Sequence, residues 1–193
     1  MMVSSYMNVV ASGLPATLHE ESSMAKKPEP RSMKYCDLYM SIARNAANQS
    51  KAKRHVVGGV LVTKTGALFT GWNGTLPGED NCCERGPWLS TEQRHKTTPS
   101  GVIHAEHNIL AWASRSGVPL EDSHLWITRS PCIKCTEMLI THGVSALFYE
   151  TAHDELAAFN LMQGHIKCFS WDSVIHHIRR HGSKGLTDAI LKD

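Results

Sequence analysis

Side chains that could bind a metal ion stand in two short segments of the chain. His104 and Glu106 lie two residues apart, and Cys132 and Cys135 follow within the sequence Pro-Cys-Ile-Lys-Cys. One imidazole and two thiolates on a zinc ion leave its fourth tetrahedral position open for water, as in catalytic rather than structural zinc sites. The sequence therefore predicts one catalytic Zn²⁺ per chain, bound by His104, Cys132 and Cys135.

Glu106 is the acidic residue of this pattern, and the zinc ion does not need it as a ligand. Zinc with two thiolates and a neutral imidazole is formally neutral, so it should acidify its water less than a three-histidine site does. We expect Glu106 to take a proton from that water and return protons to the ring nitrogen and the departing amine of a nucleobase. His-x-Glu followed by Pro-Cys-x-x-Cys is typical of zinc-dependent nucleobase deaminases, and it predicts hydrolytic deamination.

A closed structural zinc site is the alternative to a catalytic one. Its fourth ligand would come from one of three residues: Cys82, Cys83 or His107. Since a structural site has no use for Glu106, the catalytic interpretation is favoured. A second zinc could be built on Cys82 and Cys83 with Cys36 or His95, but free thiols under a loop are the simpler expectation, and Cys168 is expected in the core.

The composition indicates one domain without a membrane span. The chain has 193 residues, six cysteines and a formal net charge of +2. Charged residues of both signs are well mixed, which argues against nucleic acid as a partner, and no apolar run reaches the length of a spanning helix. Cysteines at this spacing do not indicate an extracellular disulfide framework, so a reducing, cytoplasmic location is expected.

Residues 1–32 are expected to form a weakly ordered extension, and residues 33–193 a zinc-dependent deaminase domain. The extension mixes Ser, Ala, Pro and Lys and lacks the basic and long apolar regions of a signal peptide. Within the domain, five strands alternate with helices, which predicts an α/β sheet covered by helices on both faces. The predicted helices are 33–48, 104–116, 131–142, 154–163 and 171–181. The predicted strands are 56–63, 67–72, 125–128, 146–149 and 166–169, with a long loop at 73–101.

Both ligand segments are predicted to lie at the starts of helices. His104 stands at or near one helix N-terminus, and Ser130 and Pro131 are expected to cap and begin the other. Helix N-termini carry partial positive charge, which favours thiolates over thiols at the metal.

From about Met33 to Phe169 the chain resembles the deoxycytidylate (dCMP) deaminases of the viral and eukaryotic type, which convert dCMP to dUMP. Beyond the zinc motif, three features carry the resemblance: the Gly-Trp-Asn-Gly-Thr sequence at 71–75, the Cys-bearing loop before His104, and the Thr-Arg-Ser-Pro sequence at 128–131. The resemblance implies the cytidine-deaminase-like three-layer α/β/α sandwich with a mixed five-stranded sheet.

The resemblance also implies the substrate contacts. Asn73 would hydrogen-bond the sugar, although a plain type I′ turn is the alternative. The backbone at Ala105 and the turn at Ser130 and Pro131 would shape the base pocket. His153, where the family more often has an aromatic residue, would contact the phosphate, and an exposed residue at a helix start is the alternative.

Members of this family are commonly homohexamers activated by dCTP and inhibited by dTTP. The resemblance implies an effector site near the loop after the Asn-Gly turn, where Mg²⁺ could accompany the triphosphate. Solvated surface charge is the alternative for the basic residues, and Arg115 would lie near a subunit contact. The candidate effector ligands are Lys51, Lys53, Arg54, Gly78, Asn81 and Glu84.

Three rival functions are less favoured. A free-cytidine deaminase would normally offer Cys in place of His104. A tRNA adenosine deaminase usually follows its second zinc cysteine with a Gly-Ala run, whereas this chain has Thr136, Glu137 and Met138. A non-catalytic zinc-binding regulator would have no use for Glu106. Whether dCTP is a substrate as well as an effector is left open.

Overall fold

The computed structural model describes residues 29–79, 81, 83, 101–153 and 156–191. Seven β-strands are formed within these residues: β1 (Gly58–Val62), β2 (Leu68–Trp72), β3 (Gly74–Thr75), β4 (Val102–Ile103), β5 (Ser123–Arg129), β6 (Val144–Thr151) and β7 (Lys167–Ser170). A 3₁₀-helix (Met33–Tyr35) precedes six α-helices in the same residues: α1 (Cys36–Ala47), α2 (Ala105–Arg115), α3 (Ile133–Thr141), α4 (Leu156–Met162), α5 (Trp171–His181) and α6 (Ser183–Leu191).

Five strands form one mixed sheet in the order β2-β1-β5-β6-β7. β1 is antiparallel to both β2 and β5, whereas β5, β6 and β7 run parallel to one another. β1 is buried along its whole length, which explains its unbroken apolar sequence. The predicted mixed five-stranded sheet is therefore confirmed.

Helices cover both faces of this sheet, each over its own apolar cluster. On one face, Ile109 of α2 and Leu139 of α3 pack with Ile127 and Leu147 of the strands. On the other face, Met40 of α1 packs with Trp126 and Phe148, whose rings stack with centroids 4.5 Å apart. The three-layer α/β/α arrangement is confirmed, and it places α2 and α3 side by side on one face.

Two glycines let helices approach the sheet closely. A Cβ on Gly58 would collide with the backbone of Ala47 at the end of α1. A Cβ on Gly71 would lie 3.0 Å from the backbone nitrogen of Ile109 and 3.3 Å from the carbonyl oxygen of Ala105. The absence of a side chain at Gly71 therefore lets the start of α2, where His104 stands, lie directly on β2.

The structure differs from the predicted elements at several points. β5 and β6 are longer than predicted, and β3, which lies inside the predicted loop 73–101, pairs with β4 directly after that loop. α6 was not predicted because its short sequence contains Gly185 and its apolar Leu186 and Ile190 find their place only by packing on the α1 face. α5 matches the predicted helix; Ser170 caps it, and Gly182, with a φ of 74°, ends it. None of the described helices combines the length and the apolar character needed to cross a membrane.

Residues 29–32, which the predicted extension includes, pack against the domain. The Arg31 side chain is 5% exposed; its Nη1 lies 2.6 Å from an Asp122 carboxylate oxygen and its Nε 2.9 Å from a Glu29 oxygen. The Tyr39 hydroxyl donates a hydrogen bond of 2.5 Å to the Pro30 carbonyl. Residues 1–28 lie outside the described residues, so the domain boundary stays a prediction.

Replacing Arg31 by Met should lower the free energy of unfolding by about 1–3 kcal/mol, since two carboxylates lose a buried partner. Burial raises the pKa of Asp122, but hydrogen bonds from Arg31 and Ser145 outweigh it and lower this pKa to about 2. A lowered native pKa stabilises the fold above the unfolded value of about 4 and loses that contribution as pH falls toward 2.

Urea unfolding of the wild type and Arg31→Met between pH 7 and pH 2 tests this. The stability difference should be full near neutrality and shrink below about pH 4. The control is Arg44→Met, because the exposed Arg44 forms a surface ion pair with Glu150, which should be worth less than 1 kcal/mol. A pH-independent difference for Arg31→Met would show that the ion pair is not its source.

Candidate metal centre

Two of the three predicted metal ligands occupy helix N-cap positions. His104 caps α2 and Cys132 caps α3, and neither side chain makes a capping hydrogen bond. The prediction that Ser130 caps α3 and Pro131 begins it is wrong, because the helix begins at Ile133. Neither side chain is used to cap its own helix. The two helix N-termini beside them favour negatively charged sulfur.

The structure brings His104, Cys132 and Cys135 together, with one potential ligand atom from each lying within 4.8 Å of the others. The Nδ1 atom of His104 is 3.6 Å from the Cys132 Sγ and 3.4 Å from the Cys135 Sγ. Tetrahedral zinc, with Zn–S near 2.3 Å and Zn–N near 2.0–2.1 Å, requires about 3.5 Å between such atoms. The donor set and its spacing therefore fit Zn²⁺.

The three side chains also stabilise one another electrostatically. Hydrogen bonds from Cys135 and from His104 lower the pKa of the Cys132 thiol to about 3, against the opposing effect of burial. The same pairing with Cys132 raises the pKa of the Cys135 thiol, and it raises the pKa of His104 as well. A thiolate is thus already favoured at the site, as metal binding requires.

Glu106 lies in the first turn of α2 and is only 4% exposed. Burial raises the pKa of its carboxyl to about 7, and its side chain hydrogen-bonds with Cys135. A carboxyl group with a pKa near neutrality can both accept and return a proton there. These properties are compatible with the proton-carrier role, which stays a prediction.

Asn73 holds the chain segment that leads into β1. Its side chain accepts a hydrogen bond of 2.9 Å from the Val57 N–H and donates one of 2.8 Å to the His55 carbonyl. The type I′ alternative is excluded, since such turns need positive φ and Asp122 is the described non-glycine residue with positive φ. A contact between Asn73 and a sugar stays a prediction.

Ser130 links the two loops that follow β5 and β6. Its hydroxyl accepts a hydrogen bond of 2.7 Å from the His153 N–H, and its own N–H donates to the Thr151 carbonyl at 2.9 Å. Ser130, Pro131 and Ala105 are buried, and His153 is half-buried. Hydrogen bonds therefore connect His153, the predicted phosphate residue, with the loop that carries Ser130, Pro131 and Cys132. Contact of these residues with a substrate stays a prediction.

The predicted effector ligands are exposed where the structure describes them. Lys51, Lys53 and Arg54 lie between α1 and β1, and Gly78 has a φ of 88°. Asn81 is also exposed, and Glu84 lies outside the described residues. Arg115, at the end of α2, lies 5.8 Å from the centroid of the Trp112 ring, and its predicted subunit contact is untested.

The remaining cysteines do not form a second cluster within the described part of the chain, where His104, Cys132 and Cys135 are the group of three close enough to bind a metal. Cys36 and Cys83 are buried thiols. Cys168 is half-buried against the core, with its Sγ 3.4 Å from the sulfur of Met162. Cys82 and His95 lie outside the described residues.

Arg129 is not among the predicted site residues. It ends β5 with a half-buried side chain, directly before the loop that carries Cys132. Strand side chains alternate between faces, and Leu125 and Ile127 both belong to the cluster under α2 and α3. The same alternation can be read from the sequence. It would have placed the Arg129 cation on the face of β5 that α2 and α3 cover, at the end of the strand that leads to Cys132.

The family model for the cytidine and deoxycytidylate deaminase zinc-binding region matches residues 33–151. ComE operon protein 2 of Bacillus subtilis is 28% identical over 111 residues, covering 58% of this chain and 56% of that protein. The deoxycytidylate deaminase of Mycobacterium phage D29 is 30% identical over 120 residues, covering 58% of this chain and 91% of that protein. The dCMP deaminase of cyanophage S-TIM5, solved with dCMP and dUMP, superimposes with a TM-score of 0.62 and 28% identity, covering 71% of this chain and 96% of that one.

Proposed function

The chain belongs to the cytidine and deoxycytidylate deaminase family, and we propose that it hydrolyses dCMP to dUMP and ammonia. The observation that carries the proposal is Glu106, a buried carboxyl group in hydrogen-bond contact with the Cys135 thiol of the His-Cys-Cys cluster. A structural zinc site would not require an acid at this place. The similarity to phage dCMP deaminases supports dCMP as the substrate over free cytidine or tRNA.

Zinc held by His104, Cys132 and Cys135 would supply an acidified water as the nucleophile for the ring carbon that bears the amino group. Glu106 takes the proton released from that water and passes it to the adjacent ring nitrogen. The same carboxyl group then takes a second proton from the hydroxyl group now on that carbon and gives it to the departing amine, so that a carbonyl and ammonia are formed. A pKa of about 7 suits both directions of transfer near neutral pH.

Five further residues complete the proposed substrate site. Asn73 would orient the sugar from a position fixed by its bonds to His55 and Val57. The backbone of Ala105 and the turn at Ser130 and Pro131 would line the base pocket, next to the metal ligands in the chain. His153, whose N–H is held by Ser130, would contact the 5′-phosphate.

Ammonia release from cytidine, CMP, deoxycytidine, dCMP and dCTP tests the proposal directly. The expected result is that dCMP is the preferred substrate of the zinc-loaded protein. A tRNA substrate belongs in the same panel, since a related zinc site also deaminates adenosine in tRNA. A preference for free cytidine or for tRNA would contradict dCMP as the proposed substrate. It would leave zinc-dependent deamination as the proposed reaction.

His153→Ala should raise KM for dCMP by about 10–100-fold, because a charge-assisted hydrogen bond to phosphate contributes roughly 1.5–3 kcal/mol. Deoxycytidine, which lacks the phosphate, should be turned over about as well as by the wild type. Steady-state kinetics on both substrates measures the difference. Equal losses on dCMP and deoxycytidine would assign His153 to folding or to placement of the base.

We further propose that the enzyme acts in the cytoplasm as a homohexamer that supplies dUMP for dTMP synthesis, activated by dCTP and inhibited by dTTP. The resemblance to the dCMP deaminases supports this, with Lys51, Lys53, Arg54, Gly78, Asn81, Glu84 and Arg115 as candidate effector or subunit contacts. Light scattering with and without dCTP and Mg²⁺, together with rates in either effector, tests it. A monomer with rates insensitive to both nucleotides would contradict this part alone.

A further inference from the structure

α5 carries three histidines that lie outside the candidate metal centre. They are His176, His177 and His181, all in the second half of the helix. α5 packs through Val174 and Ile178 on the α1 face of the sheet, whereas α2 and α3, which begin at the metal ligands, cover the other face. The helix also lies beyond residue 151, where the match to the family model ends. The proposed deaminase reaction therefore gives these histidines no role.

His177 and His181 are neighbours along one face of α5. They stand four residues apart, and side chains at this spacing lie one above the other on a helix. Their ring centroids are 4.9 Å apart, and the ring planes are tilted by 49°. The two imidazoles are therefore adjacent without being stacked face to face.

The separation of the two rings suits imidazoles that share one metal ion. With a metal–nitrogen distance near 2.0–2.1 Å, the centre of a bound imidazole lies about 3.2 Å from the ion. Two such rings are then about 4.5 Å apart when their bonds to the ion form a right angle, and about 5.2 Å apart at the tetrahedral angle. The distance of 4.9 Å between His177 and His181 lies between these values.

The helix holds this pair in a defined position. The Ser170 hydroxyl accepts a hydrogen bond of 3.3 Å from the Ser173 N–H at the start of α5, and the Gly182 N–H donates one of 2.9 Å to the Ile178 carbonyl at its end. His177 is half-buried, whereas His181, the last residue of the helix, is exposed. One ligand is thus held in place and the other is open to water, so little order has to be gained on binding.

The electrostatic surroundings act in both directions. His181 lies at the helix C-terminus, where the backbone carbonyls carry partial negative charge and attract a cation. Arg179 and Arg180 in the same turn oppose a cation, but both are exposed, so water and salt screen their charge. Two imidazoles without a carboxylate favour copper, nickel and zinc over the hard ions Mg²⁺ and Ca²⁺, which prefer oxygen ligands.

We propose that His177 and His181 form a second metal site, which binds a divalent ion of the copper, nickel and zinc class and completes its coordination with water. Two protein ligands bind an ion less tightly than three, so this ion exchanges on dialysis, whereas zinc bound by His104, Cys132 and Cys135 is retained. Binding links two successive turns at the end of α5 and stabilises that end of the helix. The proposal does not depend on the deaminase function.

Titration of Ni²⁺ into the zinc-loaded full chain, followed by calorimetry, tests the proposal on the wild type, His177→Gln and His181→Gln. Ni²⁺ is the probe because imidazole suits nickel, whereas a tetrahedral site with thiolates favours zinc. Each variant should bind Ni²⁺ about 100-fold more weakly, since the second imidazole of the pair binds the ion intramolecularly. Ni²⁺ should also raise the melting temperature of the wild type and not that of the variants.

His176→Gln is the matched control, because His176 is an exposed histidine of the same helix whose neighbour four residues on is Arg180. It should keep the Ni²⁺ affinity of the wild type, and all four proteins should retain one zinc and the same rate on dCMP. Unchanged Ni²⁺ affinity in His177→Gln and His181→Gln would overturn the proposal. An equal loss in His176→Gln would also overturn it, since binding would then follow the number of histidines and not the pair.

Discussion

Replacing Glu106 by Ala is expected to remove deaminase turnover while leaving the metal content and the fold intact. Proton transfer by one positioned group supplies about 10²–10⁴-fold in rate, and Glu106 would act in more than one transfer. We therefore expect a loss at the upper end of this range or beyond it. Glu106→Gln should be equally inactive, because an amide of nearly the same shape neither accepts nor returns the proton.

Steady-state rates on dCMP and zinc analysis of the same samples check this prediction. Glu137→Gln is the matched control, since Glu137 is an exposed acid of α3 that pairs only with Lys134, at 3.4 Å, among the ion pairs described. It should retain wild-type rate and metal. If Glu106→Ala keeps more than about a tenth of the wild-type rate, Glu106 is not the proton carrier and another base must be found.

The metal ligands could be predicted from sequence because their chemistry constrains both residue type and spacing. His104 lies 28 residues before Cys132, yet a compound pattern of soft ligands with an adjacent acid accounts for His104, Cys132 and Cys135 together. The sheet could be predicted for a similar reason, since buried strands such as β1 leave an apolar run and amphipathic helices such as α5 leave a 3.6-residue period.

The contacts that support the site could not be predicted because they join residues through the tertiary fold. Nothing in the sequence indicates that the Ser130 hydroxyl bonds the His153 N–H instead of capping α3, or that the Asn73 amide is committed to the backbone at 55 and 57. Arg31 was assigned to the extension for the same reason: its partner Asp122 is 91 residues away. Polar residues of this kind have several possible local uses, and packing selects among them.

Cys132→Ala is expected to abolish activity by removing zinc, and to lower thermal stability at the same time. The site joins the start of α2 to the start of α3, so metal binding free energy contributes to the packing of these helices. Loss of one of three protein ligands leaves two, which cannot hold the ion in a catalytic geometry. Zinc analysis should give one ion per wild-type chain and close to none in the variant, with a clearly lowered melting temperature.

Removing zinc from the wild type with a chelator should lower its melting temperature to that of Cys132→Ala. Zinc added back should restore the rate and the stability of the wild type but not those of Cys132→Ala. Cys168→Ala is the control thiol, because Cys168 contacts Met162 in the core and takes no part in the cluster. It should bind one zinc and turn over normally. Two tightly bound zinc ions per wild-type chain, one of them surviving in Cys132→Ala, would instead reveal a second site, with Cys82, Cys83 and Cys36 as its first candidate ligands.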